Sequence, residues 1–480
     1  MKRIYLSICA AAVAFSSFAG GLLTNTNQNA TFLRNPARDA AIAIDGVYSN
    51  PAGTAFLEEG FHLSLSWQAA MQKRQITSNF PYYKLGGDAD GSKVFEGKTT
   101  APVIPSFQAA YVINDKWSVS AQFAIGGGGG KCEFEQGLPM FEKMVGYTLG
   151  SQIGENLPYT LNQTLTGEQY LYGIQLGGTY KVLNNLSAFV GARAIIASSS
   201  YTGAITNITV GGNNAAYYSN LSQQAAGAAA QYATAAQQAQ AAGMLAEAAQ
   251  YAAAAEQYAT AAKSAGTAAA MMSDYNLDCS QSGFGVTPII GLDLNLGKLN
   301  LAAKYEFRTK IELENESNNS ANVDALMPTY ANGGKVRSDI PAILTLGAQY
   351  SVLPSVRVAA GFHYYWDKDA KGSAIKKGNN TWEAVLGAEW DINDKWLVSA
   401  GVQRTQYGFD DADMSDLNFN INSTALCIGG AYKFNERMKL NFGYMHSFYG
   451  EHDVKGAVAS MNDVYTRKND VVGVSFDIRF

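Results

Sequence analysis

Charge is what this chain is most short of. Asp, Glu, Lys and Arg together make up 16% of its 480 residues, against roughly 25% in an ordinary soluble domain. Proline is scarce, at 11 residues, which excludes a proline-punctuated disordered chain. Four cysteines and four histidines, none clustered, leave no CxxC or HExxH metal signature, and no cofactor is expected. Beyond the N-terminus no stretch approaches the about 18 strongly apolar residues of a spanning helix, which excludes an α-helical membrane protein. With 40 acidic against 35 basic residues, a net charge of −5 argues against a phosphate-binding surface, so no nucleic-acid partner is expected.

Glycine (48) and tyrosine (27) are abundant, a mixture that suits many strands with aromatic faces. Residues 1–19 have the build of a secretory signal. Lys2 and Arg3 form the charged start, Ile4 to Phe15 the apolar stretch, and Ser17-Phe18-Ala19 a small-x-small cleavage site. Cleavage after Ala19 and export are expected.

The clearest strand is at the C-terminus. Val472, Val474, Phe476, Ile478 and Phe480 point one way, and Gly473, Ser475, Asp477 and Arg479 the other. Strict alternation marks a strand between two different solvents. In an exported chain lipid outside and water inside a barrel would be such solvents; the edge of a soluble β-sandwich alternates too, and repetition along the chain decides between them. The pattern recurs from Leu299 to Leu313, where Leu299, Leu301, Ala303, Tyr305, Phe307 and Ile311 share a face. Asn300, Lys304, Glu306, Arg308, Lys310, Glu312 and Glu314 oppose them. A ladder of both signs suits a polar lumen; Lys304, Arg308 and Lys310 either meet a carboxylate cargo there or pair internally, and their alternation with acids favours pairing.

Six short turns are expected, around Asn114-Asp115, Asn184-Asn185, Gly297-Lys298, Leu353-Pro354, Asn393-Asp394 and Asn435-Glu436. The pentapeptide Ile-Asn-Asp-Lys-Trp occurs at 113–117 and again at 392–396, placing a tryptophan where an interfacial aromatic girdle would lie. Six short turns joining seven hairpins predict an all-β transmembrane fold, a fourteen-stranded antiparallel outer-membrane barrel over residues 60–480, with twelve or sixteen strands as the alternatives.

Two regions break the alternation. Residues 20–59 hold two expected proline-started helical pieces, from Asn35-Pro36-Ala37 and from Asn50-Pro51-Ala52, each with an asparagine cap. Residues 221–270 contain 25 alanines and predict a helical hairpin bent near Gly243 within an extracellular insert at 215–272. Its bland alternative is a spacer without function.

Taken together these residues resemble the outer-membrane transporters of long-chain fatty acids and other hydrophobic compounds (FadL/TodX-like). The resemblance is carried by Ala40-Ala41-Ile42-Ala43 through Tyr48-Ser49-Asn50-Pro51-Ala52, by Tyr180 to Asn185 followed by Phe189-Val190-Gly191, by Lys304 to Ile311, and by Asp339-Ile340-Pro341. It implies a fourteen-stranded barrel with an N-terminal hatch at 20–59 that includes Asn50, Pro51 and Ala52. It also implies a mechanism: loops capture a hydrophobic small molecule, which passes above the hatch and leaves sideways into outer-membrane lipid beside a kinked third strand. On this chain the third strand runs from Trp117 into Gly126, Gly127, Gly128, Gly129 and Gly130, candidates for the lateral gate because glycine weakens strand pairing; a flexible loop start is the alternative. Leu138, Met140, Phe141, Met144, Val145 and Tyr147 form an apolar stripe suited to capture, or to packing against the alanine-rich hairpin. Cys132 and Cys279 fall in expected extracellular segments and are candidates for a disulfide.

The implied location is the Gram-negative outer membrane, reached through the barrel-assembly machinery by the C-terminal strand ending at Phe480. A general hydrophilic porin and a structural or adhesive surface barrel are the alternatives. An enzyme is not expected, since His446 and Ser447 fall on opposite strand faces and His363 and Asp367 form no sequence-adjacent constellation.

Overall fold

A computed structural model of the chain describes residues 27–153, 157–372, 375–376, 378–456 and 461–480; residues 1–19, expected as a signal peptide, lie outside them. The strands are β1 (Gly60–Asn79), β2 (Ser92–Val112), β3 (Trp117–Phe134), β4 (Tyr159–Leu183), β5 (Leu186–Val210) and β6 (Tyr275–Asn295). They continue as β7 (Leu299–Glu306, resuming at Glu312–Ser317), β8 (Lys335–Arg337, then Ile343–Leu353), β9 (Val356–Tyr365) and β10 (Trp382–Asp391). The last are β11 (Trp396–Gln406), β12 (Ser423–Asn435), β13 (Met438–Tyr449, then His452–Lys455) and β14 (Asn462–Arg479). Each strand pairs antiparallel with its sequence neighbour, and β1 closes the sheet by pairing with β14 from His62–Arg479 to Asn79–Asn462. The expected fourteen-stranded barrel is what the chain forms.

The alternation is that of a soluble protein turned inside out. On β1, His62, Ser64, Ser66 and Gln68 are buried while Phe61, Leu65, Trp67 and Met71 are exposed. Val190 and Leu176 on the outer face are 69% and 61% exposed. Such a surface fits lipid outside and polar groups inside. Six short turns close one end, and the long connections all leave the other. Near the short turns an aromatic belt stands on the outer wall: Trp117 lies 4.6 Å from Tyr180 and Trp396 4.8 Å from Tyr432, ring centre to ring centre. Among the described residues no helix is long and apolar enough to cross a membrane.

Residues 27–59 lie inside the barrel and are almost entirely buried. Helix α1 (Ala30–Arg34) is capped by the Asn29 side chain, and α2 (Gly46–Ser49) is followed by a 3-10 turn, Pro51–Phe56, capped by Asn50. No helix starts at Pro36. Asn35 instead ends α1 and accepts the Ala37 amide at 3.1 Å, because the following residues are held by the wall rather than by their own backbone. Seven inward glycines make room for them, one on each strand from β8 to β14: Gly347, Gly361, Gly387, Gly401, Gly429, Gly443 and Gly473. At Gly443 a Cβ would stand 2.7 Å from the Arg34 backbone nitrogen, and at Gly347 2.5 Å from the Asp39 carbonyl carbon. Strand-interior glycine costs stability; here close backbone approach is the compensation.

The alanine-rich region forms α4 (Ala215–Ala241) and α5 (Leu245–Met271), joined at Gly243 in the left-handed region. Each 27-residue helix is about 40 Å long at 1.5 Å per residue. Tyr232 stacks on Tyr258 with ring centres 5.3 Å apart, and burial is concentrated near the base at Tyr218, Ala262, Ala265 and Ala268.

Gly443→Ala is expected to destabilise the barrel by about 1–3 kcal/mol through overpacking. Gly178→Ala, whose Cβ would meet nothing within 4 Å, is expected to leave it unchanged. Urea unfolding followed by the heat-modifiable gel shift measures both, and equal stabilities would remove the packing argument.

Candidate functional site: a lumen cavity beside a break in the wall

The lower lumen is filled, and polar wall side chains hold the filling. Arg34 reaches Glu389 at 2.6 Å, and Arg38 bridges Asp45 (2.7 Å) and Glu389 (3.0 Å). His363 stands between Asp39 of the inner segment (3.0 Å) and Glu383 of β10 (2.9 Å), so both ring nitrogens are taken. Asn50 donates to Asp293, while Thr179 and Ser187 donate to the Pro51 and Ala52 carbonyls at 2.9 and 2.7 Å. Asn50, Pro51 and Ala52 are therefore bound to the barrel wall. Buried charges left single cost several kcal/mol, and these are paired.

Lys304 belongs to this system. Its ammonium donates to the Tyr48 carbonyl at 2.7 Å, sits 4.0 Å above the Tyr48 ring centre, and pairs with Glu306 at 2.8 Å. It faces the inner segment. Arg308 and Lys310, expected on the same inward ladder, are not on it. The β7 ladder stops at Glu306, and Thr309 turns inward onto Thr287 while bridging Ile340. The phase shifts by one residue, so Ile311 and Leu313 are buried against Ile195 and Ala197. Arg308 then bonds sideways to the Asp369 carbonyl, and Lys310 is exposed.

Above the filled part is a cavity of about 290 Å³, bordered by Phe134, Phe141, Leu165, Leu277, Met327 and Tyr330 among apolar groups and by Arg74, Glu168 and Arg467 among charged ones. Gly128 and Gly130 also border it, and beside them the β2–β3 ladder is interrupted. Strands β2 and β3 pair from Val112–Ser118 to Ser106–Ala124 and again from Thr100–Lys131 to Gly97–Phe134, with no pairing between. Residues 101–105 thus face 125–130 without ladder bonds. Toward β4 the same stretch stays paired through two bulges, at Ile125/Gly127 and Gly128/Gly130. Gly128 and Gly129 take positive φ, 69° and 104°, which only glycine adopts at low cost. The other half of the break is Pro102 and Pro105, which have no amide to donate. In the sequence the glycines stand out as a run while these prolines do not, although proline in a strand is itself a mark of a bulge or edge.

The break has a definite height. Val103 and Met71, on the outer face near it, are 59% and 55% exposed. The first residues above it on that face include the pairs Lys73–Glu96 and Lys131–Glu133. It therefore lies at the upper edge of the apolar band.

Helix α3 (Pro139–Ile153) covers the cavity. Leu138, Phe141 and Val145 are buried in a loop core with Phe80, Tyr83, Tyr159, Tyr218 and Met272, and Met140, Met144 and Tyr147 pack against it. The apolar stripe is thus turned inward as the roof, and reaches the base of the hairpin through Tyr218 and Met272. Asp416 anchors the roof by accepting the Met140 amide at 2.7 Å and the Tyr465 hydroxyl at 2.9 Å; Lys143 pairs with Asp463 at 2.6 Å, and Lys93 with Glu142 at 2.8 Å. Burial, and then the Asp463 carboxylate, push the Asp416 carboxyl up to about 6.

Cys132 and Cys279, expected as a disulfide, are free thiols. They stand at one level of the wall, in the pairing chain Cys132–Gly167, Gly167–Tyr201 and Tyr201–Cys279. Three strand spacings of about 4.8 Å separate them, too far for a bond that needs Cα atoms within about 7 Å.

No protein-family model and no curated protein matches the sequence. Solved structures do match the fold. A FadL homologue of Pseudomonas aeruginosa superposes with TM-score 0.62 at 13% identity, over 96% of this chain and 100% of that one. The toluene transporter TodX of P. putida gives 0.55 at 12% over 91% and 94%, and the toluene transporter TbuX of Ralstonia pickettii 0.50 at 14% over 93% and 98%.

The raised Asp416 value carries a pH dependence. A carboxyl shifted upward stabilises the closed roof fully below its ordinary value, about 3.9, and the contribution is lost as pH rises through about 6. Hydrogen exchange of the Met140 amide, corrected for intrinsic rate, is expected to be about tenfold slower at about pH 5 than at about pH 7.5. Asp416→Asn is expected to flatten that difference; an undiminished difference would assign it to another group. At the identities found above the likeness is one of fold: this chain is an antiparallel fourteen-stranded barrel with the architecture of the FadL homologue and the toluene transporters.

Proposed function

We propose that the chain is a passive channel for hydrophobic small molecules in the Gram-negative outer membrane, and that it performs no catalysis. Residues 20–59 act as its hatch. Cargo enters from the loop end beneath α3, occupies the cavity, and leaves sideways between β2 and β3 into the outer leaflet. Export through the signal at 1–19 and assembly through the C-terminal strand ending at Phe480 are part of this reading. One observation carries it: the cavity adjoins a stretch of wall without ladder bonds at Gly128 and Gly130, while the way straight down is filled by residues 27–59. The fold shared with a FadL homologue and two toluene transporters supports it.

The physics favours the sideways path. Apolar surface gains about 25 cal/mol per Å² on leaving water, so a greasy molecule is better released into lipid than into an aqueous pore. The break at the upper edge of the apolar band gives that release without crossing the hatch. A general hydrophilic porin fits less well, because its substrates need the water-filled path that this lumen lacks.

Uptake of labelled oleate by cells with an intact outer membrane, beside sugar swelling of liposomes, tests the reading: oleate uptake without sugar permeation is expected. A Cβ at Gly130 would lie 3.1 Å from Ala101 and Thr99 of β2, so Gly130→Trp places a ring in the break. It is expected to slow uptake at least about tenfold, an added barrier of about 1.4 kcal/mol, while the protein still inserts. Unchanged uptake would remove the lateral exit, and sugar permeation by the unaltered protein would favour a porin.

A further inference from the structure

The outer face of the wall carries a row of lysines where the apolar band ends. Lys468 on β14 stands directly opposite Lys73 on β1, and Lys73 directly opposite Lys98 on β2. All three are exposed. Their chain neighbours Arg74 and Arg467 border the lumen cavity, so alternation puts the lysines on the outside. With strands about 4.8 Å apart the row is about 10 Å wide. Like charges directly opposite in a sheet destabilise it, so the row calls for anions.

The wall supplies few. Lys73 pairs with Glu96 at 2.5 Å. Glu133, opposite Lys98, is taken by Lys131 at 2.5 Å. Asp470, on the same face as Lys468 and one step below it, accepts from His446 at 2.7 Å and from the Tyr444 hydroxyl at 2.6 Å. Lys98 and Lys468 are left without an ion pair among the described residues.

Below the row the same stretch of wall is hollowed. A groove of about 600 Å³ is bordered by Trp67 of β1, Ile428 of β12, Phe442 and Tyr444 of β13, and Val472 and Val474 of β14. All six side chains are exposed on the outer face. Val472 follows Lys468 on that face at a distance of about 13 Å along the strand. A cationic rim above an apolar groove matches one amphiphile with an anionic head. A second copy of the chain fits less well. Two copies inserted the same way meet at equal heights, which sets lysine row against lysine row.

We propose that Lys468, Lys73 and Lys98, with the groove beneath them, form a seat on the outer wall for a phosphorylated glycolipid of the outer leaflet. The ammonium groups hold its phosphate by charge-assisted hydrogen bonds, and the groove holds one of its acyl chains. The inference rests on reading the chain as a Gram-negative outer-membrane protein.

The test mixes the full chain, purified in a neutral detergent, with bisphosphorylated lipid A or with the same lipid freed of its phosphates. Native mass spectrometry counts the lipid bound. The phosphorylated form is expected to bind at least about tenfold more tightly, as one lipid per chain. Lys73→Gln/Lys98→Gln/Lys468→Gln is expected to remove that preference, and Val472→Trp, which fills the groove, to weaken both lipids alike. Equal affinities, or a preference that survives in the triple variant, would overturn the seat. A mass of two chains without lipid would also overturn it and make the groove a contact between copies. Where the triple variant does not reach the folded form, the single Lys98→Gln variant decides the matter, and an unchanged preference there would overturn the seat. Density fractionation of the membranes tests the underlying reading separately: recovery with the outer membrane leaves that reading standing whatever the lipid result, and recovery elsewhere would overturn both.

Discussion

A backbone that meets lipid must satisfy its own hydrogen bonds, and everything else in this molecule follows from how the wall does so. Strands β1 to β14 pair in sequence order and β1 closes on β14, so no sheet edge faces lipid. Against that rule, residues 101–105 and 125–130 leave their ladder unmade. Two prolines and five glycines gather there, residues that respectively lack the donor and tolerate the bent backbone. The local chemistry and the local geometry agree: the ladder is interrupted where the residues favour interruption.

The filled lumen depends on the same rule, applied inward. Ion pairs such as Arg34–Glu389 and Arg193–Glu306 are almost wholly buried, and pairs of that kind add little net stability because desolvation offsets attraction. Their value is positional. Inner-segment residues have fixed partners on neighbouring strands, Asn29 on Ser64 and Gln108 and Arg34 on Glu389 and Ser399, so the segment has one register against the wall. The seven inward glycines of β8 to β14 add a steric demand of the same kind.

The barrel was legible in the sequence because alternation, short turns and aromatic position all have a fixed period. The repeated Ile-Asn-Asp-Lys-Trp marked two turns, and both tryptophans stand in the aromatic belt. What escaped notice lacks such a period. The slip between Glu306 and Glu312, which takes Arg308 and Lys310 off the ladder, leaves no mark in a run of alternating residues. The α3 stripe was recognised as apolar, but its burial depends on distant residues such as Phe80 and Met272. Arg74 and Arg467 are 393 positions apart, and only closure of the sheet makes them neighbours. Cys132 and Cys279 seemed matched by compartment, yet two intervening strands keep them apart.

The inner segment is bound to opposite sides of the barrel at once: Asn29 to Ser64 of β1, Asn50 to Asp293 of β6, Arg34 to Glu389 of β10. No sequence of single detachments lets it slide in after the seam has zipped, since every withdrawal leaves several buried ions unpaired. Wrapping and filling are therefore one event. The sheet must curl around a segment already lying in place, as a cask is raised around its former, and the chain end made first acts as the template for the circumference made last.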